Sequence, residues 1–381
     1  MKTKFIGHSS ILIESGKDKI LCDPWYTGTA FNDGWKLLSE PKTDINDLDF
    51  NYIWYSHEHP DHFSVVDIKK IDKEKRKNIT VLFQETIDNK VKDFCIKNDF
   101  KVKELEPFKA VKLSDSLEII NGTDGFDSWL CVKDSEKTIL NLNDCRLDDV
   151  DELNKVKDKI GNIDALYTQF GYANWAGNPG DTKGPKIGRR IVESQLKNQI
   201  DVLKPRVVVP FASFVWFCHE ENTFWNDLSI GIRESYDFLS NISDKVHVFY
   251  PGDEWMVGED WNTDPQWWNE QVIRDWETIQ ERVKLQMQTA ANRQMGADVE
   301  DIDSAYTVDR VGSLRLVSYE QFILESNAGQ FREERFYCDK GRRWMAKVRE
   351  LFASYGYNHV RKVEVEDMVL LEVSKNPMGE I

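Results

Sequence analysis

Long apolar runs are missing from this 381-residue chain: no stretch approaches the length of a membrane span, and Met1-Lys-Thr-Lys-Phe-Ile-Gly-His is not followed by the apolar segment of a secretion signal. A cytoplasmic protein is the expectation. Positive charge is also short. The 50 Lys and Arg stand against 66 Asp and Glu, and the formal net charge of −16 argues against a general nucleic-acid or anionic-membrane binder. Small molecules are the expected partners. Cys22, Cys95, Cys131, Cys145, Cys218 and Cys338 include no CxxC pair, which fits reduced thiols and excludes the usual patterns of a zinc ribbon or iron–sulfur cluster. Walker and Rossmann glycine spacings are absent, as are internal repeats and low-complexity tracts. Histidine is scarce as well, yet three of the 7 fall within residues 57–62.

With 40% hydrophobic and 12% aromatic residues, the chain can fill one large or two medium cores. Short apolar runs read as strands at Phe5-Ile, Ile11-Leu-Ile, Ile20-Leu-Cys-Asp-Pro, Tyr52–Ser56, Val81-Leu-Phe and Leu117–Ile120. Further runs follow at Trp129–Val132, Thr138–Leu142, Ala165-Leu-Tyr, Val207–Pro210 and Val246–Tyr250. Helical spacing appears at 65–75, 86–98, 186–203 and 227–240. This alternation predicts an α/β sandwich of two sheets with helices outside, over residues 1–258. Residues 259–381 are expected to form a smaller α+β region. Helices are predicted there from Pro265 to about Met295 and from Trp344 to Tyr355, then strand from Val360 to Val373.

Residues 56–63 read Ser-His-Glu-His-Pro-Asp-His-Phe directly after a strand. In an extended segment His57 and His59 point the same way, while Asp61 and His62 follow on a turn and face a neighbouring position. Two adjacent metal ions would suit that geometry.

The HxHxDH run resembles the signature of the metallo-β-lactamase superfamily, and the likeness extends through Gly7-His-Ser-Ser-Ile-Leu-Ile-Glu14, Ile20–Trp25, Asn141-Leu-Asn-Asp-Cys145 and Pro210–His219. Lys204–Ala212 with His219, and the stretch from Asn121 through Asp144, are similar to the CMP-N-acetylneuraminate hydroxylases within it. The resemblance implies an αββα metallo-β-lactamase sandwich over roughly residues 1–258. It also implies that His57 and His59 hold one metal, that Asp61, His62 and His219 hold the other, and that Asp144 bridges the two. His8 would lie near the metal cleft and meet substrate.

Hydrolytic members place a third histidine on the first metal, from the loop before the Trp129 strand. Residues 121–128 here read Asn-Gly-Thr-Asp-Gly-Phe-Asp-Ser and hold none. Asp124 aligns best with the missing imidazole and Asp127 is the other candidate. A carboxylate there makes the first site more oxygen-rich and shifts preference from zinc toward iron or manganese. It also resembles the metallo-β-lactamase-fold diiron oxygenases.

A long glycine-rich stretch from Gln169 to Arg190 leads into a helix. Tyr172 and Trp175 could stack on a substrate ring, and Lys183, Lys186, Arg189 and Arg190 near a helix start could meet an anion; a solvated surface loop is the equal alternative. The functional expectation is a non-haem diiron oxygenase or hydroxylase of a small, polar, anionic metabolite. No Cys-x-His and Cys-x-x-His Rieske pair is present, so electrons would come from an external donor. The alternative is a dinuclear zinc or manganese hydrolase of a lactone, amide or phosphodiester.

Overall fold

The computed structural model describes residues 1–86, 88–172, 178–181, 183–219, 221–259, 265–298, 359–365 and 368–374. They form two compact units. Unit 1 takes in Met1–Phe31, Trp35–Phe217 and Glu221–Thr289, and unit 2 takes in Asn32–Gly34, Cys218–Glu220 and Ala290–Ile381.

Unit 1 is built on two large sheets. The first opens with the meander β1 (Lys2–Gly7), β2 (Ser10–Ser15) and β3 (Asp18–Cys22). After a small excursion through β4 (Thr29–Ala30) and β5 (Trp35–Leu37) it continues with β6 (Tyr52–Trp54), β7 (Thr80–Gln84) and β8 (Lys101–Leu105). The pairing is antiparallel through β3 and parallel from β3 to β8. The second sheet repeats this plan. Strands β9 (Ala110–Lys112), β10 (Glu118–Asp124), β11 (Asp127–Lys133) and β12 (Thr138–Asn143) are antiparallel, and β13 (Ala165–Gln169) and β14 (Val207–Phe211) then add in parallel. Strand β15 (Val215–Phe217) joins β5 and β4 in a three-stranded sheet, and β16 (Glu254–Met256) closes the free edge of β1.

Period-two alternation sorts the side chains into layers. Ile11, Ile13, Ile20, Trp54 and Leu82 from the first sheet meet Ile119, Leu130, Val132, Ile139 and Tyr167 from the second. The intervening residues Leu12, Leu21, Ile53 and Val81 face outward and pack with Ile68, Val91 and Cys95. These last belong to α1 (Val65–Ile68) and α3 (Lys90–Lys97), with α2 (Lys73–Arg76) between them. On the far side, α4 (Val150–Ile160), α5 (Lys183–Leu203) and α6 (Ile232–Ser240) cover the outer residues of the second sheet, among them Leu140, Leu166 and Val208. Helix, sheet, sheet and helix therefore follow one another, as expected.

The helix α7 (Pro265–Asp298) starts against this sandwich, where Trp276 is fully buried and stacks on Phe214 with ring centroids 4.2 Å apart. At the C-terminal end β17 (His359–Val365) and β18 (Met368–Ser374) pair as a hairpin. The helix predicted for 344–355 lies outside the described residues. No described helix is long and apolar enough to cross a membrane.

Two local expectations change. The helix expected over 65–75 is two short ones, and the buried Arg76 guanidinium donates to Ile71 O at 2.7 Å and to Lys69 O, satisfying carbonyls at the break. The strand expected at Val246–Tyr250 makes only a single bridge, Val208↔Val246. The Asn269 side chain accepts from Val248 N at 2.9 Å and donates to Val246 O at 2.7 Å, so an amide from α7 takes the groups a neighbouring strand would use.

Candidate metal centre

The chemistry-bearing residues lie where strands end. His8 follows β1, Asp23 follows β3, the run from His57 to His62 follows β6, Asp124 and Asp127 flank the β10–β11 turn, and Asp144 follows β12. Three residues at these ends hold positive φ: His8 at 32°, Asp23 at 37° and Asn143 at 57°. For side chains with a Cβ this costs free energy, and such strain gathers where surrounding contacts fix a functional geometry.

Ligand atoms converge in three overlapping groups: His57, His59 and Asp127; His57, His62 and Asp144; and His8, Asp61 and His62. His57 Nε2 lies 2.8 Å from His59 Nδ1, 3.7 Å from Asp127 Oδ1 and 3.8 Å from Asp144 Oδ2. His62 Nε2 lies 3.4 Å from the same Asp144 oxygen and 3.5 Å from Asp61 Oδ2. Asp144 thus stands between the two histidines, as a bridging carboxylate would. The buried atoms His8 Nδ1 and Nε2, Asp61 Oδ1, His62 Nε2 and Asp144 Oδ1 have no hydrogen-bond partner among the described residues. Buried polar atoms in that condition cost about 1–3 kcal/mol each, a cost that coordination would remove. The imidazole and carboxylate donors fit a pair of divalent ions.

The charges agree. Burial and the neighbouring His62 push the His57 pKa down to about 4, so its imidazole is neutral and able to ligate at pH 7. Burial also disfavours a cation at His62, yet the charges of Asp144 and Asp61 outweigh it and carry its pKa well above the ordinary value. Burial works against ionisation of Asp144 too, but His62 and His57 hold its carboxyl well below the usual range. Burial and the charge of Asp144 push Asp127 up to about 7. The acidic cluster therefore draws positive charge to the place where the ligand atoms meet.

Residues 2–140 match the family described as the beta-lactamase superfamily domain. That match spans β1 to β8 of the first sheet and the HxHxDH run, and the layers of unit 1 are those of the αββα sandwich expected from the sequence. Unit 1 has the metallo-β-lactamase fold. The chain is 25% identical over 240 residues to the cytidine monophosphate-N-acetylneuraminic acid hydroxylase of Danio rerio, an alignment covering 58% of this chain and 39% of that protein. It therefore spans about two fifths of the length of this curated relative. Among solved structures it is similar to CmlA, a diiron β-hydroxylase from Streptomyces venezuelae, with TM-score 0.46, 13% identity, and coverage of 67% of this chain and 53% of that one. It is also similar to the isothiocyanate hydrolase from Delia radicum gut bacteria, with TM-score 0.48, 16% identity, and coverage of 68% and 100%.

Within this metallo-β-lactamase fold, His57, His59, Asp61, His62 and Asp144 come together. Of the two carboxylates considered for the remaining position, Asp127 stands beside His57 and His59, whereas Asp124 Oδ2 accepts from Leu147 N at 3.2 Å. His8 is buried against Asp61, with Nε2 and Oδ2 3.4 Å apart. His219 is half-buried two residues beyond β15 and belongs to unit 2. Tyr172 packs its ring over Gly188 of α5, leaving no room for a Cβ there, and joins the apolar cluster of Val192 and Leu196. Lys183 and Lys186 are exposed in the first turn of α5. Trp175 lies outside the described residues.

Sequence reasoning missed Asp23. Its fully buried carboxylate accepts from Ser56 N at 2.8 Å, Ser56 Oγ at 2.7 Å, His62 Nδ1 at 3.1 Å and Asn143 Nδ2. A bond from Nδ1–H to Asp23 orients the His62 ring and turns Nε2 toward the ligand cluster. The signal available was the Cys22-Asp23-Pro24 step at the end of an apolar strand, the same position along the first sheet that Asn143-Asp144 holds along the second.

Proposed function

We propose that this chain is a non-haem diiron oxygenase that hydroxylates a small, polar, anionic metabolite with electrons from an external donor. The observation that carries this reading is Asp127, a carboxylate beside His57 and His59 where resemblance to the hydrolytic members would call for a third imidazole. An oxygen donor in that set favours iron or manganese over zinc. Similarity to a hydroxylase over 58% of the chain supports the same direction.

When bound, a pair of irons would supply the one-electron chemistry that reduces dioxygen, one oxygen atom entering a C–H bond and the other leaving as water with two electrons and two protons from the donor. His57 and His59 would hold one ion with Asp127, and Asp61 and His62 the other, Asp144 bridging them. Asp23 fixes the His62 ring, and Ser56 Oγ, 2.9 Å from His57 Nδ1, fixes its neighbour. For the anion we look to an open groove lined by Arg146, Asp148, Ile187, Arg190, Ile191 and Ser194. Arg146 follows Asp144 by two residues, and Arg190 is exposed, while Arg189 is already engaged with Glu234 at 3.1 Å.

The test is metal analysis of protein purified without added zinc. About two irons per chain with an oxo-bridged absorption band is the expected result. Stoichiometric zinc or manganese, with turnover of a lactone, amide or phosphodiester, would overturn it in favour of a dinuclear hydrolase. Replacing Asp127 by Ala should empty the first site, and replacing Asp124 by Ala should leave it filled; the reverse would exchange their roles.

A further inference from the structure

We propose that His8 is a ligand of the second metal, forming with Asp61 and His62 a three-residue site contained within unit 1. The inference rests on the dinuclear reading above and is independent of whether the ions are iron and whether the reaction is oxygenation.

His8 is 3% exposed, and neither ring nitrogen has a hydrogen-bond partner among the described residues. A buried histidine with a structural role ordinarily satisfies at least one nitrogen. Its Nε2 stands 3.4 Å from Asp61 Oδ2, and His62 Nε2 stands 3.5 Å from that same oxygen. Two donors on one ion at about 2.0–2.1 Å are themselves about 3.0–3.5 Å apart. A charge-assisted hydrogen bond between His8 and Asp61 would instead close to about 2.7–2.9 Å. The separation falls in the co-ligand range.

The backbone holds the ring there at a cost. His8 sits at φ 32°, a conformation in which a residue with a Cβ is strained, and its carbonyl accepts from Ala212 N at 3.1 Å. Ser9 Oγ donates to Asp61 O at 3.4 Å, tying the two segments together one residue further on. The Trp25 ring meets His8 edge-on at 5.7 Å and the His62 ring lies at 5.7 Å on another side. The imidazole is thereby confined between an apolar wall and the two other donors.

Metal stoichiometry and affinity of the full chain, stripped and then titrated with Co2+, test this. The wild type should take up two ions per chain. His8→Asn, which tolerates positive φ, should take up one, or bind the second at least about 100-fold more weakly, beyond the ~10–100-fold loss expected when only a ligand's supporting partner is removed. His8→Cys adds a gain of signal: a thiolate on the ion gives a near-ultraviolet sulfur-to-cobalt charge-transfer band, which a structural residue cannot produce. That band sustains the assignment even if His8→Asn fails to fold, and its absence from a folded His8→Cys overturns it. A smaller loss of affinity without the band makes His8 an orienting partner of Asp61 and overturns the ligand role. Fewer than two ions on the wild type would overturn the dinuclear reading and this inference with it, whereas two ions bound by the wild type and by His8→Asn with equal affinity, with no sulfur-to-cobalt band on His8→Cys, would overturn the inference alone.

Discussion

Replacing Asp23 by Asn tests whether the second site depends on a residue that touches no metal. The substitution keeps size and shape but exchanges one carboxylate oxygen for an NH2. Oδ1 accepts from Ser56 N, and Oδ2 accepts from Ser56 Oγ, His62 Nδ1 and Asn143 Nδ2. Either orientation of the new amide thus points donor at donor inside a fully buried site. The orientation that spares Oδ2 leaves Ser56 N–H unmet, at about 1–3 kcal/mol, and the remaining bonds lose their charge assistance at up to about 1 kcal/mol each. A total near 3 kcal/mol is expected for the metal-free protein, read as a lower urea midpoint with unchanged slope. His62 also loses the bond that aims Nε2, so affinity for the second ion should fall about 10- to 100-fold in a competition titration. Asp49→Asn is the control, because Asp49 is exposed and paired with Lys19 at 2.6 Å, and its loss should cost less than about 1 kcal/mol. A D23N protein as stable as D49N, with unchanged affinity for both ions, would refute the positioning role.

Gly122 opposes Trp129 across the β10–β11 pair, and a Cβ there would lie 2.0 Å from the indole ring. Gly122→Ala should therefore destabilise unit 1 by about 3 kcal/mol, the upper end for overpacking, and lower occupancy of the first site, measured by thermal unfolding and metal analysis. Trp276→Ala removes a fully buried ring that stacks on Phe214 and donates to Phe249 O at 2.9 Å; a loss of about 3–5 kcal/mol in urea is expected, and a loss under about 1 kcal/mol would show that α7 does not belong to the core of unit 1. The Asp127 carboxyl, raised to about 7, keeps a proton in the folded metal-free chain that the unfolded chain releases near pH 4. Its contribution to stability is thus present at low pH and lost as pH rises through about 7. Metal binding, which needs the carboxylate, should release a proton below pH 7 and tighten as that pH is approached; calorimetry in buffers of different ionisation enthalpy reads both.

The inward-facing strands were legible because alternation places residues such as Ile11, Ile13, Leu130 and Val132 on one face. Strands at the margins were not. β8 reads Lys-Val-Lys-Glu-Leu and β9 reads Ala-Val-Lys, and both end a sheet where solvent accepts charge on either face, while β16 is too short to carry a pattern. Helix α4 was hidden by its many charges, although Asp149 caps it and Leu153, Val156 and Ile160 mark a buried stripe. At the site, the histidine run announced itself through local spacing. Asp23 did not, and Asp127 stood only second to Asp124, because their roles arise from partners far along the chain: Asp23 bonds Asn143, and Asp127 meets His57 only once the two sheets have closed.

The two sheets of unit 1 each contribute to the same cluster, with His57, His59, Asp61 and His62 following a strand of one and Asp127 and Asp144 belonging to the other. An ion held by both is a rivet across the sandwich, and binding free energy at the ends of the strands becomes free energy for keeping the sheets together. Linkage runs both ways. Loosening the buried seam far from any ligand should let the ions escape more readily, so metal retention reports on the integrity of the whole interior.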